Sequence, residues 1–437
     1  NAMYGGMPTT QISVYYPGNV FKEVYFGWFK MFPSPIGLLI LHLIGFYILA
    51  LFLRISPLIG LLGGVAFSFA SYEIIIVQAG HFTKSVASAF LAPTLGALIY
   101  AYKNNRLWGI VLASVFMTFE LIANHLQVTY YFAFLLAAVG IYFFIRAIKS
   151  KELKAFVITS AGLLAGFIVA VMINYGNVAL TSDYAKHSVR GANDLTINSD
   201  GTKVKKAAGL SNADVTKWSY GIGETMTFFS PNVKGGGSFP LGGSQFEDIV
   251  LNSDFSGNEQ RELLNTNQQN GAVVYAYWGE QPGTSGPVYL GVVVLLLALL
   301  GMVFLKGKMK WALFALTVLV VMLSWGKNFP VLTDMFIDYM PGYDKFRSIT
   351  MILILAELTV ALLGMMFLSQ LLKQREEIKE KKKVFLSVIG GFALLMILIK
   401  FVGLGDGYAS KVEREQVEAS RTAMTEQLVA ADPAAIM

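Results

Sequence analysis

Three short segments gather the side chains of this chain that can bind anions, exchange protons or hydrogen-bond a polyhydroxylated ligand. They are Gln78-Ala79-Gly80-His81-Phe82-Thr83-Lys84, Asn124-His125-Leu126-Gln127 with Tyr130 and Tyr131, and Tyr343-Asp344-Lys345-Phe346-Arg347. In the first, Gly80 permits a close backbone approach and His81 exchanges a proton near neutrality. Lys84, three residues on, shares a helical face with His81. An ammonium beside an imidazole suits an anionic group such as a phosphate; the plainer alternative is a snorkelling lysine and a helix-capping histidine. In the second, Asn124, His125 and Gln127 crowd a connection too short to be a flexible loop, and the rings of Tyr130 and Tyr131 could face a sugar; a polar hairpin with interfacial tyrosines is the plainer reading. In the third, Lys345 and Arg347 precede an apolar run, and the guanidinium fork matches phosphate geometry; interfacial anchoring would use the same residues. The expected phosphate set is therefore His81, Lys84, Lys345 and Arg347, and the expected sugar or acceptor set is Asn124, His125, Gln127 and Tyr130.

Further ionisable residues lie inside apolar sequence. Glu73 and Glu357 fall within or near such runs, and Glu357 follows Arg347 by ten residues, about 15 Å along a helix, so the two do not pair locally. His42 stands alone in its run and is expected to be packed and hydrogen-bonded. With no cysteine, thiolate catalysis, disulfides and Cys-ligated zinc are excluded. No Walker A loop, GxGxxG turn, HExxH helix or serine elbow is present, which argues against ATP as an energy source in this chain.

The elements that must position these residues are set by hydropathy. Of the 437 residues 55% are hydrophobic and only 14% charged, against about 25% charged in soluble domains. That excludes an ordinary soluble enzyme and a disordered chain, leaving an all-α polytopic membrane protein. Runs of roughly 17–25 residues can cross the hydrocarbon. Ten candidates occur, at 36–53, 58–77, 85–102, 107–124, 128–144, 156–173, 288–305, 311–325, 349–372 and 384–404. Every second short connection is basic (54, 103–106, 146–154, 306–310, 373–383), and together these hold nearly half of the 34 Lys and Arg residues. By the positive-inside rule those connections are cytoplasmic. The chain then divides into an outward juxtamembrane segment (1–35), a six-helix module (36–173), a large mixed extracytoplasmic loop (174–286), a four-helix module (287–404) and an outward C-terminal segment (405–437). Both ends and the long loop face outward, and a preceding span is expected upstream of Asn1. The three polar segments also fall on the outward face. The basic residues are used up by topology, so nucleic acid is not an expected partner.

Five stretches resemble the YfhO-like family of bacterial membrane proteins: Met3-Tyr4-Gly5-Gly6-Met7-Pro8, Gly80-His81-Phe82-Thr83-Lys84, Asn124-His125-Leu126-Gln127-Val128-Thr129-Tyr130-Tyr131, Tyr277-Trp278-Gly279-Glu280-Gln281-Pro282 and Pro341-Gly342-Tyr343-Asp344-Lys345-Phe346-Arg347. That family is similar to the GT-C glycosyltransferases, polytopic enzymes of the outer face of the cytoplasmic membrane. The resemblance implies a polyprenyl-phosphate-linked sugar donor, membrane lipid contacts and an envelope glycan or lipid acceptor. It implies no cofactor, no metal ligand is identified, and a divalent metal stays open. It places the catalytic acid in the first outward loop, which this chain lacks apart from 1–35, where Glu23 is the one acid. A transporter or flippase of lipid-linked sugars and a non-catalytic envelope-assembly platform are the alternatives.

Overall fold

The computed structural model describes residues 18–191, 209–240 and 275–405, with isolated positions 197, 251, 256–258, 260, 261 and 265. Met3–Pro8, Gly242-Gly243 and the tail beyond Gly405 lie outside the described residues. The chain is mostly helical: α1 (Val20–Met31), α2 (Ile36–Phe52), α3 (Pro57–Ser68), α4 (Ser71–Gln78), α5 (Phe82–Lys103), α6 (Arg106–Ile122), α7 (Leu126–Lys149), α8 (Leu153–Ile173), α9 (Tyr175–Lys186) and α10 (Asn212–Val215) precede an antiparallel strand pair, β1 (Gly235–Pro240) with β2 (Tyr275–Tyr277). Then follow α11 (Val292–Phe304), α12 (Met309–Ser324), α13 (Pro330–Tyr339), α14 (Leu353–Lys373), α15 (Arg375–Glu380) and α16 (Lys382–Gly405).

Local chemistry sets the boundaries. Asn19 caps α1 by accepting from the N–H groups of Phe21 and Lys22, and α1 stops one residue before Phe32, which precedes Pro33 and so disfavours the helical region. α1 then meets α2 at 119°. Pro57 opens α3 at a position where its missing N–H costs nothing. Pro93 inside α5 withdraws an N–H from the carbonyl of Ala89. Gly45 of α2 packs there, and a Cβ on Gly45 would lie 2.4 Å from that oxygen. The two helices thus approach backbone to backbone, as small residues allow in membrane bundles.

Two helices form the centre. In α5 and in α14 with its preceding turn, 83% of the most apolar stretch is buried, whereas in α8 and α16 only 11% is. α5 packs on α2 and α6, and α14 packs on α3, α11 and α12. The peripheral helices leave Leu164, Ile168, Val169, Leu394 and Leu398 about half exposed. Contiguous apolar surface on that scale is not tolerated in water, so this is a membrane-embedded protein.

About ten spans are expected, and helix length and composition support part of that number. Five helices are long and apolar enough to cross a bilayer: Phe82–Lys103, Leu126–Lys149, Leu153–Ile173, Ile349–Lys373 and Lys382–Ile399. There are up to seven if the bent pairs α1–α2 and α3–α4 each count as one. Each remaining expected run does hold a helix, but α11 has 13 residues and α12 has 16. At 1.5 Å per residue these reach about 20 and 24 Å, short of about 30 Å of hydrocarbon.

The bundle has two unlike ends. At one, the α4–α5 and α6–α7 connections meet the segment before α14. At the other lie Arg54, Lys103, Arg106, Arg146, Lys149, Lys308 and Lys373; there Lys373 donates to the Arg54 carbonyl at 3.2 Å and Arg106 to Thr159 Oγ1 at 3.0 Å. The first is the polar end and the second the basic end.

Candidate functional site

At the polar end, α4 closes with Gly80 in the left-handed region at φ 77°. The N–H of His81 donates to Ile76 O at 2.8 Å and that of Gly80 to Val77 O at 3.0 Å. This double bond is the usual glycine-dependent helix stop. It turns the chain so sharply that His81 lies exposed at the start of α5 while Lys84, in the first turn, points inward and is only 6% exposed. The Lys84 ammonium lies 4.7 Å over the Tyr72 ring. An ammonium in the first turn of a helix opposes the helix dipole, and two carboxylates offset this: Glu73 from α4 and Glu357 from α14 both attract Lys84.

Those carboxylates are themselves placed by neighbours far away in sequence. Tyr72 sits in the first turn of α4, where N–H groups lack intrahelical partners, and its N–H donates to Glu357 Oε1 at 3.1 Å. Glu357 thus caps α4 from another helix. Glu73 Oε2 lies 2.8 Å from His42 Nε2 and accepts from Ser88 Oγ at 3.2 Å. His42 also meets Leu38 O through Nδ1 at 2.9 Å. The histidine is packed and hydrogen-bonded as expected, and it has a carboxylate partner, so it does not stand alone. Among the described residues Glu73 Oε1, Glu357 Oε2 and Ser85 Oγ are buried without a hydrogen-bond partner.

The α6–α7 connection brings the second group. Asn124 takes the left-handed conformation at φ 53°, which asparagine tolerates better than most residues, and its amide donates to Thr181 Oγ1 of α9 at 3.2 Å. His125 lies close enough to Lys84 and His81 to interact with both, and its Nδ1 is buried without a hydrogen-bond partner among the described residues. Burial, and then Lys84, hold His81 below its ordinary range. The same causes, with a smaller push from His81, bring His125 down to about 4. Both imidazoles are therefore neutral near pH 7 and offer hydrogen bonds rather than charge. Gln127 is buried and spans a gap: its Nε2 donates to Arg347 O at 2.6 Å and to Tyr131 Oη at 3.1 Å. Tyr130 donates to Pro341 O at 3.0 Å and packs against Phe134, Tyr343 and Phe346.

The third segment is sewn to the chain between α9 and α10. Arg190 Nε donates to Lys345 O at 2.8 Å while Lys345 Nζ donates to Arg190 O at 3.1 Å. Asp344 pairs with Lys345 at 3.6 Å and accepts the Leu210 N–H through its carbonyl at 3.0 Å. Arg347 is exposed. It lies near enough to Arg190 to lower that group's affinity for its proton, after the larger effect of burial.

The expected residues thus fall into two groups on one end. His81, Lys84 and His125 interact with one another; Gln127 and Tyr130 bond the backbone of the 341–347 segment that carries Lys345 and Arg347; the short stretch from His125 to Gln127 joins them. Lys84 is already matched by two carboxylates, so Arg347 and Arg190 are the cations most open to an added anion. Asn124 and Tyr130 spend their polar groups on Thr181 and Pro341. Sequence reading missed Arg190, which lies in a polar stretch with no motif, and the pairing of His42, Glu73 and Glu357 through three separate helices. The motif Tyr277-Trp278-Gly279-Glu280 wraps a further carboxylate, Glu224, which accepts from Tyr277 Oη at 2.5 Å, Gly221 N at 2.6 Å and Glu280 N at 3.2 Å. A Cβ on Gly279 would fall 2.2 Å from Glu224 Oε1. Among the described residues no group of three or more His, Asp or Glu is placed to hold a metal ion.

Beside the aromatic group runs a cleft of about 750 Å³ between α7 and α12, lined at this end by Phe134, Phe336 and Met340. A scan against protein-family models and searches of curated proteins and of solved structures found no match to this chain.

Proposed function

We propose that this chain is a membrane glycosyltransferase of the GT-C kind, with about ten spans and its polar end on the outer face of the bacterial cytoplasmic membrane. It would move a sugar from a polyprenyl-phosphate donor to an envelope acceptor. The observation that carries this reading is that Phe134 and Phe336 of an apolar cleft pack against Tyr130 and Tyr343, at the end of a membrane-embedded bundle that also holds Gln127, Arg190 and Arg347. That is the arrangement a lipid-linked phosphosugar requires, with a charged head beside a greasy chain.

In the reaction, an acceptor hydroxyl oxygen bonds to the anomeric carbon as the bond from that carbon to the lipid-phosphate oxygen breaks. The bonding pair leaves with the phosphate, and the hydroxyl proton passes to a general base, which the resemblance to the GT-C enzymes implies is a carboxylate. Charge grows on the departing phosphate, so Arg347 would assist most in the transition state. Gln127 holds the Arg347 backbone and acts as a positioning residue. Lys84 adds field from below, muted by Glu73 and Glu357. Neutral His81 and His125 would offer hydrogen bonds to the sugar phosphate or acceptor.

The buried ionisable side chains of Lys84, Glu73, Glu357 and His42 favour a second reading, transport of the same lipid-linked sugar, because such groups inside helices often mark transport routes. One experiment separates them. The complete protein is reconstituted with a radiolabelled lipid-linked sugar, and both transfer to acceptor and movement across the bilayer are followed. Transfer that drops on the order of a hundredfold in Arg347→Ala, with the fold intact, supports the enzyme. Unchanged transfer removes the phosphate role, and movement without transfer establishes the transporter.

A further inference from the structure

The same cleft extends to the basic end. Arg146 and Lys149, one turn apart on α7, and Lys308, directly before α12, line it from both walls together with Ser150. Among the described residues none of these three cations makes an ion pair with a carboxylate. Arg146 also borders a polar pocket of about 170 Å³ with Lys103, Arg106 and Glu152, where one acid faces three cations and positive charge remains in excess. Between the two ends the walls are apolar and open sideways: Ile141 and Trp311 are 58% and 57% exposed. From Phe134 to Lys149 the cleft follows α7 for about 22 Å, more than the roughly 15 Å of half a hydrocarbon core.

We infer that the basic end of the α7–α12 cleft seats an anionic phospholipid, its phosphate held by Arg146, Lys149 and Lys308 and an acyl chain lying along Ile141, Ile145 and Trp311. The charge selects the occupant. A zwitterionic headgroup leaves the excess cations unmatched, and a second copy of this chain would set the same cations against each other. An anionic headgroup offsets them while its chain covers the apolar walls. Basic pockets between membrane helices take such headgroups on general electrostatic grounds. This site is distinct from the sugar-transfer reading and does not depend on it, since it lies at the opposite end and uses none of its residues.

Trp311 is the reporter. The full chain is reconstituted in phosphatidylcholine vesicles carrying either brominated-chain phosphatidylglycerol or brominated-chain phosphatidylcholine. The Trp311 signal is isolated by subtracting Trp311→Phe. Each cation near the membrane surface favours anionic lipid by about fivefold, so partly exposed cations should together give phosphatidylglycerol a preference of at least about tenfold. Raising ionic strength should shrink it. The triple variant Arg146→Gln, Lys149→Gln, Lys308→Gln should bring it near one; Lys103, Arg106, Lys151 and Lys154 still mark that end, so orientation has other determinants. Equal quenching by both lipids in the unaltered chain overturns the inference, and that measurement needs no charge-neutralised variant. Quenching by neither lipid also overturns it, since protein would then cover the cleft. So does a preference that survives the triple substitution.

Discussion

The two ends of the bundle use the same residue types under opposite conditions. At the basic end Arg146 and Lys149 are exposed, follow closely in sequence and have no carboxylate partner among the described residues. At the polar end Lys84 is buried, and its partners Glu73 and Glu357 come from α4 and α14. A solvated cation costs little to keep and little to remove. A buried one is tolerable only while its countercharges are present. Charge at the basic end is thus a property of local sequence, whereas charge at the polar end is a property of three helices meeting.

The sharpest way to break this contrast is to remove one cation from each end. Lys84→Met removes the cation that Glu73 and Glu357 share, leaving Glu73 with His42 and Glu357 with the Tyr72 N–H, and should cost about 3–5 kcal/mol, read as lost folded yield or a lowered midpoint of unfolding in detergent. Lys149→Met should leave the same midpoint unmoved. Equal responses from the two variants would remove the distinction between the ends.

A smaller effect is expected where the polar end is held by a single side chain. Gln127→Leu leaves the Arg347 carbonyl and Tyr131 Oη without their donor and should cost about 1–3 kcal/mol. In the complete protein it should also lower transfer while Arg347 itself remains. If Gln127→Leu unfolds normally yet transfers poorly, the side chain acts through the placement of Arg347.

The smallest effect is a pH slope. The folded-state pKa of His125 lies near 4, below the ordinary 6.5. As pH falls, the unfolded chain takes up a proton before the folded one. The stabilising contribution is complete above about pH 6.5 and is lost progressively towards about pH 4, by up to about 1.4 kcal/mol per pH unit. His81 shifts in the same direction. All four histidines lie away from the basic end, so the slope reports on the rest of the molecule. His125→Asn should flatten it in a series of unfolding midpoints from pH 7 to pH 5, and a slope left unchanged would assign it to other groups.

Particular residues show how far the chain could be read in advance. Every expected apolar run holds a helix, because apolar length and the flanking Asn, Pro and Gly signals are local. Gly80 could be read as a turn for the same reason. Span count is less local: α11 and α12 are apolar but short, and the break at Phe69-Ala70 divides a run that looks continuous. The pairing of Glu357 with the Tyr72 N–H joins residues 285 apart, and that of Arg190 with Lys345 joins residues 155 apart. Neither leaves a periodic trace, since a single contact between helices requires only that each residue be polar and correctly turned.

Hydropathy and the placement of basic residues were enough to establish a helical membrane protein with two chemically different ends, because burial in lipid acts on each segment separately. Folding alone determined which polar side chains meet. Lys84 is buried beside two carboxylates, His42 acquires a carboxylate, and Arg190 joins Arg347. These outcomes depend on which helices touch and in what rotation, and the energy that selects them is shared across the whole bundle.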